Sequence, residues 1–420
     1  MSNLSYICQS KNQDMDTEKK SWFKRLNDMP LLAKVAIAIA LGIGLGFVMP
    51  VPIARIFITF NDLFSQFLGF MIPLIILGLV APAIADLKQG AGKLLLITVA
   101  IAYLDTLVGG MVGYATGAGI LSRIMSPETS FAAGEGAKLT SYFGIAVPPL
   151  MDVMSALVFA FLLGIGACTF GKDNPLLGVL NYFKIIVEKC IQSAIIPLLP
   201  LYIFGIFLKM IMEGGNGSDL LNLAIVFGIV LACTIALLIV QYTIAGAIVK
   251  KNPFRLLLNM LPAYATALGT SSSAATIPVT LKQTLKNGVS ENIAGAVVPL
   301  CATIHLCGSA LKITACAVAI MLMNGMPYDF PMMLGFVLML GIVMIAAPGV
   351  PGGSIMAALG VLQSMLGFGV DQQGMMIALY IAMDSFGTAC NVTGDGAIAL
   401  IMDKIAGKMK TENGEMRDEN

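Results

Sequence analysis

Apolar stretches close to the roughly 20 residues that cross a bilayer as a helix follow one another along the first 250 positions. They are Leu31–Val48, Leu63–Ile84, Leu94–Ile120, Leu150–Thr169, Cys190–Met212 and Leu221–Val249. Beyond Lys250 the apolar character persists, but polar and small residues cut it at Thr270 to Ser273, Thr303 to Ser309, Ala346 to Ser354 and Thr388 to Gly394. Backbone that leaves the helix at membrane depth survives only where protein or a water-filled cavity satisfies its polar groups. The pattern predicts a six-helix region over 31–250, mainly scaffold, and a site-bearing core over 251–408, between tails at 1–30 and 409–420.

Charge placement turns these stretches into a topology. Lys19, Lys20, Lys24 and Arg25 precede the first span, Lys88 and Lys93 follow the second, and Lys172 follows the fourth. Lys250, Lys251 and Arg255 follow the sixth, and Lys404, Lys408 and Lys410 the last. The alternate connections carry Glu213 and Asp219, Asp329 or Asp371, and the long one with Arg123, Glu128, Glu135 and Lys138 is mixed. The positive-inside rule places both termini in the cytoplasm. Lys282 and Lys286 obey it only if Ala263–Thr280 and Ala346–Leu366 enter and leave on one side. The expected fold is an all-α polytopic membrane protein with eight transmembrane helices plus two re-entrant helical hairpins, in the inner or plasma membrane.

Composition agrees and removes rivals. Of 420 residues 57% are hydrophobic and 12% charged, against about 25% charged in soluble domains. A net charge of +1 leaves no basic face for nucleic acid. A single histidine argues against His-rich zinc sites and a Ser-His-Asp hydrolase. The eight cysteines form no C-x-x-C pair, and Cys168, Cys190, Cys233 and Cys316 read as small buried hydrophobes. The segment before Met29 lacks the apolar run of a signal peptide. Glycines 109, 113 and 117 recur every four residues, which suits close helix packing.

Ionisable groups inside apolar spans are costly to desolvate and are functional candidates by default. Here they are Asp105, Asp152, His305, Lys312, Asp384 and Asp395. Asp152 follows Pro148-Pro149 and either sits at the interface or belongs to a site. Helical spacing puts Asp384, Thr388, Asn391 and Asp395 on one face. That face offers acceptors to an ammonium group or a cation and a donor to a carboxylate.

Four motifs in order resemble the dicarboxylate/amino acid:cation symporter family, which is glutamate-transporter-like and built on inverted repeats. The run Ser271-Ser-Ser-Ala-Ala-Thr-Ile-Pro278 is similar to its first hairpin tip, and Pro299 to Ser309 to its unwound seventh helix. Gly349-Val-Pro-Gly-Gly-Ser354 resembles the second hairpin tip, and Asp384 to Asp395 the eighth helix. The resemblance implies that Asp384 meets a substrate ammonium and that Thr388 and Asn391 meet its polar groups. Ser272, Ser273 and the backbone at Val350 and Gly352 would grip a carboxylate, with Ser309 beside them. Asp395, with carbonyls near Cys301, His305 and Asn391 and with Thr303 nearby, would hold a cation. If that cation is sodium, Asp395 and Asn391 are its ligands. The second hairpin would be a lid hinged on Gly349, Gly352 and Gly353. No cofactor is implied beyond a coupling Na+ or H+, and the expected assembly is a homotrimer in the lipid bilayer.

The chain departs from the family pattern in two places. The seventh-helix signature asparagine-methionine-aspartate-glycine-threonine reads His305-Leu306-Cys307-Gly308-Ser309 here. Acidic-substrate members carry an arginine where this chain has Gly387, or in the first hairpin, where it has Ser271. A side-chain carboxylate is thus left without an obvious partner, so the expected substrate is a small neutral amino acid, the alternative being an acidic amino acid or C4-dicarboxylate. His305 is either a satisfied core histidine or linked to a coupling cation or proton. Asp105 either replaces the lost acid in a rearranged cation site, with His305 or Lys312 supplying positive charge, or pairs structurally with Lys312. An ion channel is the rival from another class, since selective pores also use re-entrant loops. No enzyme motif such as H-E-x-x-H or G-x-S-x-G occurs.

Overall fold

The computed structural model describes residues 29–88, 93–124, 139–170, 174–214, 217–347 and 351–418. Among them every regular element is a helix. The tail residues Lys19, Lys20, Lys24 and Arg25, the connection residues Glu128, Glu135, Lys138 and Lys172, and Gly349 and Val350 at the second hairpin tip lie outside the described residues.

Helix α1 spans Leu31–Gly46, α2 Val51–Lys88, and α3 Lys93–Thr116, which continues through a wider π turn at Gly117–Leu121. Helix α4 covers Val153–Thr169, capped by Asp152, whose carboxylate accepts from Ser155 N at 3.0 Å. Helices α5 (Pro175–Cys190) and α6 (Ile196–Met212) join through a π turn into one rod, and α7 is Gly217–Val249. The fifth span thus begins fifteen residues before the apolar run at Cys190. Asn174 caps it by accepting from Leu177 N at 2.8 Å, with Pro175 at the first helical position, where a missing N–H costs nothing. Lys184 and Glu188, half-buried, and the exposed Lys189 lower the hydrophobicity of that first half.

The second region is built of shorter pieces. A seven-residue α8 (Pro253–Asn259) leads into α9 (Leu261–Thr270), which folds back through Ser271-Ser272 onto α10 (Ser273–Lys286). Ser271 takes a left-handed φ of 49°, and Ser272 caps α10 through Ala275 N. Helices α11 (Glu291–Ile304) and α12 (Cys307–Met323) are one span broken at His305 and Leu306, whose backbones are non-helical. Helix α13 (Phe330–Ile345) pairs with α14 (Gly353–Leu366), where Gly352 at φ 73° starts the returning arm. Only glycine enters that left-handed region without steric cost. Helix α15 (Val370–Ala382) bends by 61° at Met383 into α16 (Asp384–Asp418), which runs on past Lys408 because Lys, Met and Glu there are good helix formers.

Among the described residues, five helical stretches are long and apolar enough to cross a membrane, or six with the bent α15–α16 pair, besides the shorter apolar α1, α4, α13 and α14. This is a polytopic membrane protein. The glycine stripe is where α3 rides on α12. A Cβ at Gly109 would stand 2.3 Å from Cys307 O, and one at Gly113 would stand 2.3 Å from Leu311 O. That close approach carries Asp105, one turn before Gly109, to the break at His305.

Candidate substrate and cation site

Both hairpin tips converge on the start of α16. The Ser271 hydroxyl lies 2.6 Å from that of Ser385. From the other tip, the Gly352 N–H donates to Asp384 Oδ2 at 2.8 Å. Asp384, Thr388, Asn391 and Asp395 are all buried along one side of α16, as their spacing predicts. Ser273 is buried and Ser272 half-buried at the first tip. Thr388 turns its hydroxyl back to Asp384 O at 3.0 Å.

Asn391 does more than line the site. Its Oδ1 accepts from Gly308 N at 2.8 Å and Ser309 N at 3.3 Å, and its Nδ2 donates to Ser309 Oγ at 3.1 Å. An amide on α16 therefore satisfies two of the free N–H groups at the start of α12. Tyr380 donates to the same Ser309 hydroxyl at 3.1 Å. Asn391 and Ser309 are thus the latch between α12 and α16.

At the place of the expected cation site, Asp105, His305 and Asp395 form a chain of side chains. His305, fully buried, stands between two carboxylates: Nδ1 is 2.9 Å from Asp395 Oδ1 and Nε2 is 2.8 Å from Asp105 Oδ2. Gln241 of α7 donates to Asp105 Oδ2 at 2.6 Å and contacts Cys307 Sγ at 3.2 Å, while its own Oε1 is buried without a hydrogen-bond partner. One ligand atom each from Asp105, His305 and Cys307 fall within 4.8 Å of one another. Asp105 and His305 are therefore joined as one reading of the sequence expected, and the alternative pairing of Asp105 with Lys312 is not formed. Asp395 Oδ1 thus faces the imidazole, and Asn391 Oδ1 accepts two backbone N–H groups.

Two other expected cation residues are placed differently. Thr303 is exposed, with its hydroxyl on Leu300 O at 2.7 Å, because the last turn of α11 points that face away from the cluster. Cys301 is buried, and its carbonyl closes the helix by accepting from His305 N at 2.9 Å.

Lys312 corrects the premise that no cation stands opposite Gly387. Its Nζ lies 3.8 Å from Asp384 Oδ1 and 3.1 Å from Met383 O, and 4.0 Å from the centre of the Tyr380 ring. A Cβ on Gly387 would sit 2.3 Å from that nitrogen. Sequence reasoning singled out Lys312 but missed Gln241 and Tyr380. The available signal was an amide deep inside the largely apolar Leu221–Val249 run, and a tyrosine four residues before an intramembrane acid.

The chain is thus a helical membrane protein with two folded-back helix pairs meeting over a buried, charged cluster. The sequence model of the Sodium:dicarboxylate symporter family matches residues 31–405, and the chain belongs to that family. It is 27% identical over 286 residues to an excitatory amino acid transporter of Caenorhabditis elegans, covering 64% of this chain and 56% of that one. It is 28% identical over 273 residues to the neutral amino acid transporter B(0) of Rattus norvegicus, covering 63% and 48%. An uncharacterized symporter of Haemophilus influenzae is 29% identical over 291 residues, covering 67% and 62%. The chain spans about half the length of the first two relatives.

Proposed function

We propose that this protein imports a small carboxylate-bearing solute, an amino acid or a dicarboxylate, by cation-coupled symport with alternating access. The observation that carries this reading is the meeting of both hairpin tips at Asp384 and Ser385, over a row of buried hydroxyl, amide and carboxylate groups. A channel is disfavoured by the same geometry, because one asymmetric enclosed site suits a solute better than a file of ions. The second hairpin, α13–α14, is the lid, and Gly352 is a point at which it moves. Substrate and cation close it, and the core over 251–408 then moves against the scaffold over 31–250. In this reading the chain makes eight crossings with two re-entrant hairpins, keeps both termini cytoplasmic in the inner or plasma membrane, and assembles as a homotrimer with one pathway per protomer.

The coupling ion is sodium or a proton, and its place is the Asp105–His305–Asp395 chain. Two carboxylates there carry more negative charge than one imidazole can offset, so a further cation is favoured. The neutral amino acid expected from the sequence rested on the lack of a cation near Gly387, and Lys312 favours the acidic reading. Uptake into proteoliposomes of labelled serine, aspartate and succinate, under separate sodium and proton gradients, tests the proposal. Gradient-driven, saturable uptake of at least one of them supports it. Large unitary currents without saturable uptake refute it.

A further inference from the structure

Asp384 is the acid on which the choice of solute turns, and both of its oxygens are already engaged. Oδ2 takes the Gly352 N–H of the lid at 2.8 Å, and Oδ1 faces Lys312 Nζ at 3.8 Å. The lysine is 1% exposed and reaches Asp384 by lying across Gly387, where any side chain would collide with its last two atoms. Its ammonium is steadied by the Met383 carbonyl at 3.1 Å, at the C-terminal end of α15, and by the face of Tyr380 at 4.0 Å. The lysine and the glycine therefore form one device, with the glycine leaving the channel that the lysine fills.

We propose that Lys312 is a built-in ammonium for Asp384, which makes it a specificity residue selecting a small carboxylate solute without an amino group over a zwitterionic amino acid. The inference rests on the symporter reading above and assigns its solute class. An incoming ammonium has to displace Lys312 from Asp384, leaving a buried charge without its partner, which is strongly unfavourable. A solute that brings only carboxylates leaves the pair intact. It meets the half-buried hydroxyls of Ser271 and Ser272 at the first hairpin tip, in the field of the buried Lys312 charge. Lys312→Gln frees Asp384 for an external ammonium and removes the positive charge, so it reverses the preference.

The test is binding by purified protein and uptake into proteoliposomes, using succinate, serine and aspartate, for the parent, Lys312→Gln and Gly387→Ala. Gly387→Ala is the second variant because it dislodges the ammonium from Asp384 without deleting the charge. The parent is expected to bind succinate at least tenfold tighter than serine. In Lys312→Gln that ratio falls below one, and in Gly387→Ala it drops at least fivefold. Serine preferred by the parent overturns the inference while leaving the symporter reading standing, and so does an equal loss for all three solutes in both variants, which marks Lys312 as a structural cap. Failure of all three to be taken up under either gradient overturns the symporter reading itself.

Discussion

His305 has a strongly constrained environment: full burial, a carboxylate at each ring nitrogen, and an amide held over one of those carboxylates. Removing one member of a buried pair leaves an uncompensated charge, which costs several kcal/mol. His305→Leu is expected to lower stability by about 3 kcal/mol, toward the low end because the Asp105 side chain is 20% exposed. Thermal unfolding in detergent measures this, and an unchanged midpoint would show that the acids are not held by the ring. Asp395→Asn addresses function. Substrate and coupling cation bind with reciprocal linkage, so this variant should shift the cation dependence of uptake at least tenfold while changing substrate affinity little in saturating cation. If cation dependence is parental, the ion sits elsewhere.

At the scale of elements, the crossing of α3 and α12 sets the site, because it brings Asp105 to His305. Overfilling a tight contact costs about 1–3 kcal/mol, or more where backbone must move. Gly113→Leu, aimed at the Leu311 carbonyl, should therefore destabilise the protein by at least that much and slow uptake, whereas Gly119→Ala, with nothing within 4 Å, should be silent. Equal behaviour of the two in a paired stability and uptake assay would refute the crossing. The start of α4 gives a pH-dependent case. Asp152 lies at the exposed end of its helix, and hydrogen bonds from the Ser155 side chain and backbone hold its carboxyl below the usual carboxylate range. A depressed folded value means the cap contributes above the unfolded value and is lost as pH falls through the lowered one. Asp152→Asn should keep the cap and lose this acid dependence, and Asp152→Ala should lose both; acid melts of the three proteins decide it.

For the whole molecule, the positive-inside pattern and the folded-back α9–α10 pair make a joint claim about sidedness. Cysteines placed at Lys250 and Lys286 should react with a membrane-impermeant thiol reagent from the cytoplasmic face, and one at Glu213 from the opposite face. Labelling of positions 250 and 286 from different sides would mean that α9 and α10 do not return to the side they left.

The apolar helices, the polar breaks between them, and the acids along one side of α16 were legible in the linear chain, because hydrophobic runs and a repeat of 3.6 are local properties. The glycine stripe was legible for the same reason. Which groups pair was not. Asp105 and His305 are two hundred positions apart, and nothing local says that α3 approaches α12 closely enough for the acid to reach the imidazole. Lys312 reads locally as an oddity one turn beyond Ser309. Its meaning depends on the empty side of Gly387, seventy-five positions later, and on the bend at Met383 that turns Asp384 toward it. The start of the fifth span was also misread, since charged residues in a helix lower a hydropathy average without saying where their side chains point. Local pattern specifies which segments are helical and which faces are polar. The pairing of charges inside a membrane is settled by packing, where distances of 3 Å between remote segments decide which charge is offset by which.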